Sequence, residues 1–397
     1  MMPGVATTVL VLRALGMGDG LAGVAALRGL RRMAPAARLV LAAPAGIGGF
    51  LRRRGVVDEV LQTPELDALT PRLWASRSDS PPDVAVDLHG CGPASHRLLQ
   101  ALGPGRLIAW RCPAAGFLDG PEHRLDEQEV VRWCRLVTAA GGPCSPADLL
   151  LDPADLPPPA GRVTPGAGHY AVVHPGATSA SRRWPAYRFA AVAAELSGRG
   201  WPVAVSGSAG ERGLTAAVTP PGGIDLGGAL DLDGLAALVA DAGLVVCGDT
   251  GIAHLATAYR TPSVLLFGPT PPGWWGPSVD TELHPVLWHG PALAPGWHGA
   301  ALAPGWHGAA LAPGWHGPAG GYHGDPHGAT VDPALDRITV GEVLAAVDGL
   351  PDRDTPVGSG STGHGSAPGP HLHLPCTGVP DPRRSGDAVQ WRAGSPG

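Results

Sequence analysis

Val245-Val246-Cys247-Gly248-Asp249-Thr250-Gly251-Ile252-Ala253-His254-Leu255 is the stretch from which the fold class is read. Its short apolar run is that of a buried strand. The run breaks at Gly248, and Asp-Thr-Gly then opens a helical stretch through His254 and Leu255. Such a turn sets backbone N–H groups and the positive end of a helix dipole at a strand's C-terminal edge, a natural seat for a diphosphate. Asp249 is placed to cap the helix or bind a hydroxyl, and Thr250 adds a side-chain donor. The same turn also has a plain structural reading, as a capped helix start.

Outward from this segment the rhythm repeats. Strands are expected at Tyr170–His174, Pro202–Ser206, Gly243–Cys247 and Ser263–Phe267, with helices at Ala186–Gly198, Leu232–Asp241 and Val340–Leu350. The first half alternates in the same way: strand Thr8–Leu12, helix Gly20–Arg32, then strands Arg38–Ala43, Val56–Leu61 and Val84–Leu88. Alternating strands and helices argue for parallel, doubly wound sheets. A Pro/Gly-rich stretch, Pro153–Gly168, reads as the link between residues 1–160 and 161–350. Two such halves imply a cleft at facing strand ends, where open α/β sheets bind ligands.

Two segments stand apart. Residues 292–318 hold three nine-residue units, Ala-Leu-Ala-Pro-Gly-Trp-His-Gly followed by Ala or Pro, within a loop insertion at 291–318. Val286–Gly290 reads as their parent. His289, His298, His307 and His316 recur evenly, but repeat expansion in a surface loop explains the pattern without a metal-dependent module, and the period is short for a solenoid. Residues 351–397 turn to Gly, Pro, Ser and His, the composition of a disordered tail.

The net charge of −6 gives no reason to expect nucleic acid or an anionic surface as partner. All 28 basic residues are Arg in a chain rich in Gly, Pro and Ala, so Arg in place of Lys carries little meaning. The six Cys (91, 112, 134, 144, 247, 376) lack paired spacing, so neither a disulfide framework nor a zinc site is expected. Arg13 interrupts the N-terminal apolar run, no stretch approaches the roughly 20 apolar residues of a membrane span, and a cytoplasmic protein is expected.

Four motifs follow predicted strands. The first, Arg13-Ala14-Leu15-Gly16-Met17-Gly18-Asp19-Gly20, fails as a dinucleotide fingerprint: Leu21 stands where a third Gly is needed, and strand two ends in Ala42-Ala43 without an acid. What remains is a Gly-rich loop delivering one carboxylate, Asp19, as a helix cap or a proton acceptor. The second, His174-Pro175-Gly176-Ala177-Thr178-Ser179-Ala180-Ser181-Arg182-Arg183-Trp184-Pro185, pairs short hydroxyl donors with fixed charge, as a diphosphate requires; Arg182 is favoured for the ligand. The third is Ser206-Gly207-Ser208-Ala209-Gly210-Glu211-Arg212, with Glu211 facing a sugar hydroxyl or capping a helix. The fourth is Leu266-Phe267-Gly268-Pro269-Thr270-Pro271-Pro272 with Trp274-Trp275-Gly276-Pro277, a rigid Pro-rich loop that closes the cleft or serves packing alone.

In order and spacing these stretches resemble glycosyltransferase family 9, the ADP-heptose:lipopolysaccharide heptosyltransferases. The likeness rests on Val9–Arg32, His174–Pro185, Ser206–Arg212, Asp249–His254, and Thr261–Thr270 with Trp275-Gly276-Pro277, and covers roughly residues 8–350 outside the repeats. It implies a GT-B fold of two Rossmann-like domains, the acceptor in the N-terminal one and the ADP-linked nucleotide-sugar in the C-terminal one. It implies inverting, metal-independent transfer in lipopolysaccharide core biosynthesis or a similar glycan, with at most peripheral membrane contact. Carried onto this chain, Asp19 is the general base on the Gly16–Gly18 loop near the acceptor. Thr250 and Gly251 hold the diphosphate, with Asp249 and His254 nearby. Thr178, Ser179 and Arg182 neutralise the leaving group, Glu211 binds the ribose and Leu230 lies against the base. The family commonly has Lys where Arg182 stands, which a Lys-free chain explains. A catalytically silent nucleotide-sugar-binding protein, or a transferase with another donor sugar, is the alternative.

Overall fold

The computed structural model describes residues 7–124, 127–158, 169–290 and 324–351. Among them, strands β1 (Thr8–Leu12), β2 (Arg38–Ala43), β3 (Glu59–Gln62), β4 (Val84–Asp87) and β5 (Arg106–Ile108) form one parallel sheet in the order β3-β2-β1-β4-β5. A second parallel sheet contains β6 (Ala171–His174), β7 (Val203–Gly207), β8 (Ile224–Gly227), β9 (Leu244–Gly248), β10 (Ser263–Leu266) and β11 (Val286–Leu287), ordered β11-β10-β9-β6-β7-β8. Each sheet steps outward from its first strand and then reverses to that strand's other side. The reversal opens a crevice at the C-terminal ends of β1 and β4 and of β6 and β9.

Strands buried on both faces must be apolar throughout, and the central ones are. On β1, Val9 and Val11 enter one core while Leu10 and Leu12 enter another. On β9, Val245 and Cys247 face the first core and Leu244 and Val246 a third. The core containing Val9 and Val245 runs continuously through both halves. The other two cover the outer face of each sheet. Helix Val340–Asp348 returns to the second sheet, packing Val343 and Ala346 with Phe189 and Leu196 of helix Ala186–Gly198.

Sequence and structure differ in instructive places. The helix expected over Gly20–Arg32 is two, α1 (Met17–Ala22) and α2 (Val24–Met33). Gly23 separates them because Arg13 crosses there: a Cβ on Gly23 would lie 2.9 Å from Arg13 Cδ. The strand expected at Val56–Leu61 starts only at Glu59, since Val56 and Val57 follow a turn at Gly55 (φ +63°) and are buried in the core instead. Helix α3 (Ala45–Arg53), whose three glycines weaken the helical signal, and strands β5, β8 and β11 were not expected. Val286–Gly290, taken as the parent repeat, supplies β11, and His289 Nε2 pairs with Glu342 at 2.7 Å. The expectation of no disulfide is corrected: Cys134 and Cys144 are bonded, their Cα atoms 5.1 Å apart, because helix Glu129–Ala139 turns back on itself through Gly141 and Gly142. The boundary at 160/161, the repeats at 291–318 and residues 352–397 lie outside the described residues.

Gly23→Ala should cost about 1–3 kcal/mol, because a methyl there displaces the Arg13 side chain. Gly46→Ala, with open space around its Cβ position in α3, should be neutral or stabilising by up to about 1 kcal/mol. Urea unfolding of the two variants checks the contrast, which fails if both shift stability alike.

Candidate active site

The two crevices face one another across a cleft of about 810 Å3. The first half contributes the β1–α1 loop, Leu15 to Asp19, and Pro44, Gly46 and Ile47 at the start of α3. The second half contributes the segments that leave β6, β7 and β9, including His174, Thr178, Arg182, Arg183, Ser206, Glu211, Asp249, Thr250, Gly251 and His254. Leu226, Leu230, Leu232 and Leu235 form an apolar stretch of wall beside Glu211.

Two helix starts meet at the floor of this cleft. A Cβ on Gly18 would lie 2.9 Å from His254 Cδ2, and one on Gly251 would lie 2.2 Å from Met17 Cε. At Gly18 only glycine permits that approach, since the neighbour is the His254 ring. Gly16 precedes α1 and Thr250 precedes helix Gly251–Ala258, and neither end is capped by a side chain. Thr250 Oγ1 is buried without a hydrogen-bond partner, beside first-turn amides that a helix cannot satisfy internally. Arg182 Nε is likewise buried and unpartnered. Buried donors at the cleft wall without acceptors of their own suit an anion seat.

Asp19 stands on the opposite wall. Burial pushes its carboxyl above the ordinary carboxylate range; Arg13 opposes this and Glu129 adds to it. Arg13 is itself buried. It donates through Nε to the Asp19 carbonyl oxygen and through Nη1 to the Leu88 carbonyl oxygen, while Nη2 lies 3.2 Å from Glu129 Oε1 and 3.9 Å from Asp19 Oδ1. Asp249 is also pushed up by burial, with Arg182 opposing. Burial holds His174 and His254 neutral, each lowered to about 4. His174 Nδ1 shares a 2.9 Å hydrogen bond with Ser206 Oγ.

Of the residues singled out in the sequence, Gly16, Gly18, Asp19, Thr178, Arg182, Glu211, Leu230, Asp249, Thr250, Gly251 and His254 line the cleft together. Ser179 does not: it precedes the short turn Ala180–Arg182, and its carbonyl oxygen accepts from the Arg182 amide. Of the two roles weighed for Glu211, the helix cap is the one seen. Its Oε2 accepts from Ser208 N and Oγ as a helix cap, while Oε1 lies 3.9 Å from Arg183. His174 and Ser206, quoted within motifs but given no role, line the cleft, as do Trp275, Pro44 and Ile47. His174 ended a predicted strand, and that position was the available signal. Among the described residues no three His, Cys, Asp or Glu side chains gather as metal ligands.

Residues 124–289 match the family model described as glycosyltransferase family 9 (heptosyltransferase). Over that segment the chain is similar to glycosyltransferase family 9. Over 130 residues, 30% of this chain and 34% of the relative, it is 37% identical to lipopolysaccharide heptosyltransferase 1 of Pseudomonas aeruginosa. Over 104 residues, 24% of the chain and 30% of the relative, it is 34% identical to lipopolysaccharide heptosyltransferase 2 of Escherichia coli. The aligned stretches thus span about a third of these curated relatives. The structure of ADP-heptose lipopolysaccharide heptosyltransferase II from E. coli superposes with a TM-score of 0.62 at 22% identity, covering 86% of this chain and 98% of that one. The family 9 protein of Veillonella parvula gives 0.63 at 15% identity, with 87% and 98% covered. The fold is GT-B.

Because the folded His174 titrates near 4 rather than 6.5, only the unfolded chain takes up its proton in between. Its contribution to stability is complete above pH 6.5 and is lost as the pH falls toward 4. In His174→Gln the fall of unfolding free energy between pH 6 and 4.5 should be shallower by about 1.4 kcal/mol per pH unit. Urea titrations across that range test this; identical slopes would show that His174 is not held neutral.

Proposed function

We propose that this chain is an inverting glycosyltransferase that moves a sugar from a nucleoside-diphosphate donor to an acceptor hydroxyl. The observation that carries the reading is the pairing of the Asp19 carboxylate with the uncapped helix start at Thr250–Gly251 on opposite walls of one cleft. The names of the related proteins point to heptose, an ADP-linked donor and a lipopolysaccharide-type acceptor. No described helix is long and apolar enough to cross a membrane, and we place the reaction on the cytoplasmic side, with peripheral contact at most.

In this mechanism residues up to 160 hold the acceptor and residues 161–350 the donor. Asp19 accepts the acceptor's proton as the new C–O bond forms, and the diphosphate leaves with the electron pair of the bond that breaks. Attack from the Asp19 wall on a sugar whose diphosphate rests against the other wall inverts the anomeric centre. Charge building on the diphosphate meets the Gly251 amide, Thr250, Thr178 and Arg182, donors placed before the reaction starts. Asp249 and His254 contact the sugar or its phosphates. Leu230 lies against the base, and Glu211 takes the ribose through Oε1, the oxygen that faces Arg183. With Arg and N–H groups supplying the charge, we propose that no metal is needed.

A thermal-shift and calorimetry screen against ADP-, GDP-, UDP- and dTDP-sugars with chelator present should give saturable binding of an ADP-sugar, lost in Thr250→Pro. Asp19→Asn should lower transfer by about 10²–10⁴-fold and leave donor binding nearly unchanged. In the unaltered protein, transfer should fall as the pH drops through the raised Asp19 pKa. Normal transfer by Asp19→Asn would remove the general-base role. Binding that requires added divalent metal would remove the metal-free mechanism.

A further inference from the structure

We propose that Glu129 is a positioning residue for this reaction: it fixes Arg13 behind Asp19 and offsets the arginine's charge at that carboxylate. The proposal rests on the reading of Asp19 as the base and concerns how that base is kept usable.

Arg13 is the last residue before the Gly-rich loop and is 2% exposed. Its guanidinium is held from three directions. It donates to the Asp19 carbonyl oxygen in α1, to the Leu88 carbonyl oxygen beyond β4, and to Glu129 in helix Glu129–Ala139. It also lies over the Trp133 ring, 5.0 Å from the centroid. Gly23 leaves the space through which the side chain passes. Glu129 is equally enclosed: Trp133 Nε1 donates to its Oε1 at 2.6 Å, and Arg132 pairs with its Oε2. Nothing in this arrangement is free to turn without losing a buried partner.

The charge balance follows from that geometry. A guanidinium 3.9 Å from Asp19 Oδ1 and sheltered from water would, alone, hold the carboxylate far below its ordinary range. A carboxylate so stabilised is a poor proton acceptor near neutral pH. Glu129 is 3.2 Å from the same guanidinium and ionised, since Arg13 and Arg132 outweigh its burial. Its field at Asp19 opposes that of Arg13, and burial then keeps Asp19 raised. The other groups facing Asp19 belong to the second half: Arg182, Asp249, and His254 beside Gly18, which is neutral. Glu129 is thus the acid that the first half supplies to balance its own arginine.

Glu129→Gln removes the charge and keeps the Arg13 and Trp133 contacts, because the amide oxygen still accepts from both, while the amide nitrogen in place of Oε2 no longer accepts from Arg132. Carboxyl carbons of 13C-aspartate in the full chain are followed by NMR through a pH series, with Asp19 assigned by its absence in Asp19→Asn. The Asp19 midpoint should fall by about one unit or more in Glu129→Gln. It should return close to its original value in the Arg13→Gln/Glu129→Gln double variant, which carries neither charge and serves as the test if the single variant does not fold. A single-variant midpoint that stays within about 0.3 units or rises, or a double-variant midpoint displaced by more than about one unit, overturns the proposal. ADP release from ADP-heptose across the same pH range tests the base separately. An acid limb that does not follow the NMR midpoint removes Asp19 as the base, while the midpoints themselves decide the role of Glu129.

Discussion

The two halves of this protein meet at the cleft floor through glycine. Gly18 lies against the His254 ring and Gly251 against the Met17 side chain, so at each contact the first turn of one helix offers bare backbone to a side chain of the other. This contact sets the distance between Asp19 and the anion seat at Thr250–Gly251. An added carbon at Gly18 would press on the His254 ring and lengthen the path between proton acceptor and leaving group. The glycines of these loops therefore serve proximity more than conformational freedom.

Burial is the common cause of the unusual ionisation in the cleft. It raises Asp19 and Asp249 and holds His174 and His254 neutral, and neighbouring charges only modify the result. Low-dielectric surroundings strengthen every remaining field, so the arginines of the cleft are effective while few. Arg182 answers the acids of the second half as Arg13 answers those of the first. The two walls thus carry separate charge balances that meet across the ligand space.

Much of this was legible in the chain. The central strands were, because being buried on both faces demands uninterrupted apolar runs such as Val245–Cys247. Helices Ala186–Gly198 and Leu232–Asp241 were read to the residue, since their ends are marked by Pro185 and Asp231. Edge strands β5, β8 and β11, two to four residues long, leave almost no pattern. Helix α3 was hidden by its glycines. In the candidate site, most residues chosen from strand-exit motifs do share one cleft, because a doubly wound sheet sends all such exits to the same side. Ser179 fell outside it because a local turn redirects the chain at Ala180. What pattern could not reveal was long-range: that Arg13 reaches Glu129 more than a hundred positions away, or that Cys134 meets Cys144 once a helix ends between them.

The continuous core has a consequence for modularity. Leu21 and Ile47 of the first half and Val172 and Ile252 of the second belong to one buried cluster, with Arg54 reaching across to Tyr259 at 3.1 Å. The halves look interchangeable as diagrams, each a doubly wound sheet, yet neither ends in a finished surface. A chimaera joining this donor half to a foreign acceptor half would inherit a raw apolar seam. Recombination among relatives must then carry α1 and α3 along with the partner helices they cover, so that the unit of exchange is the seam rather than the sheet.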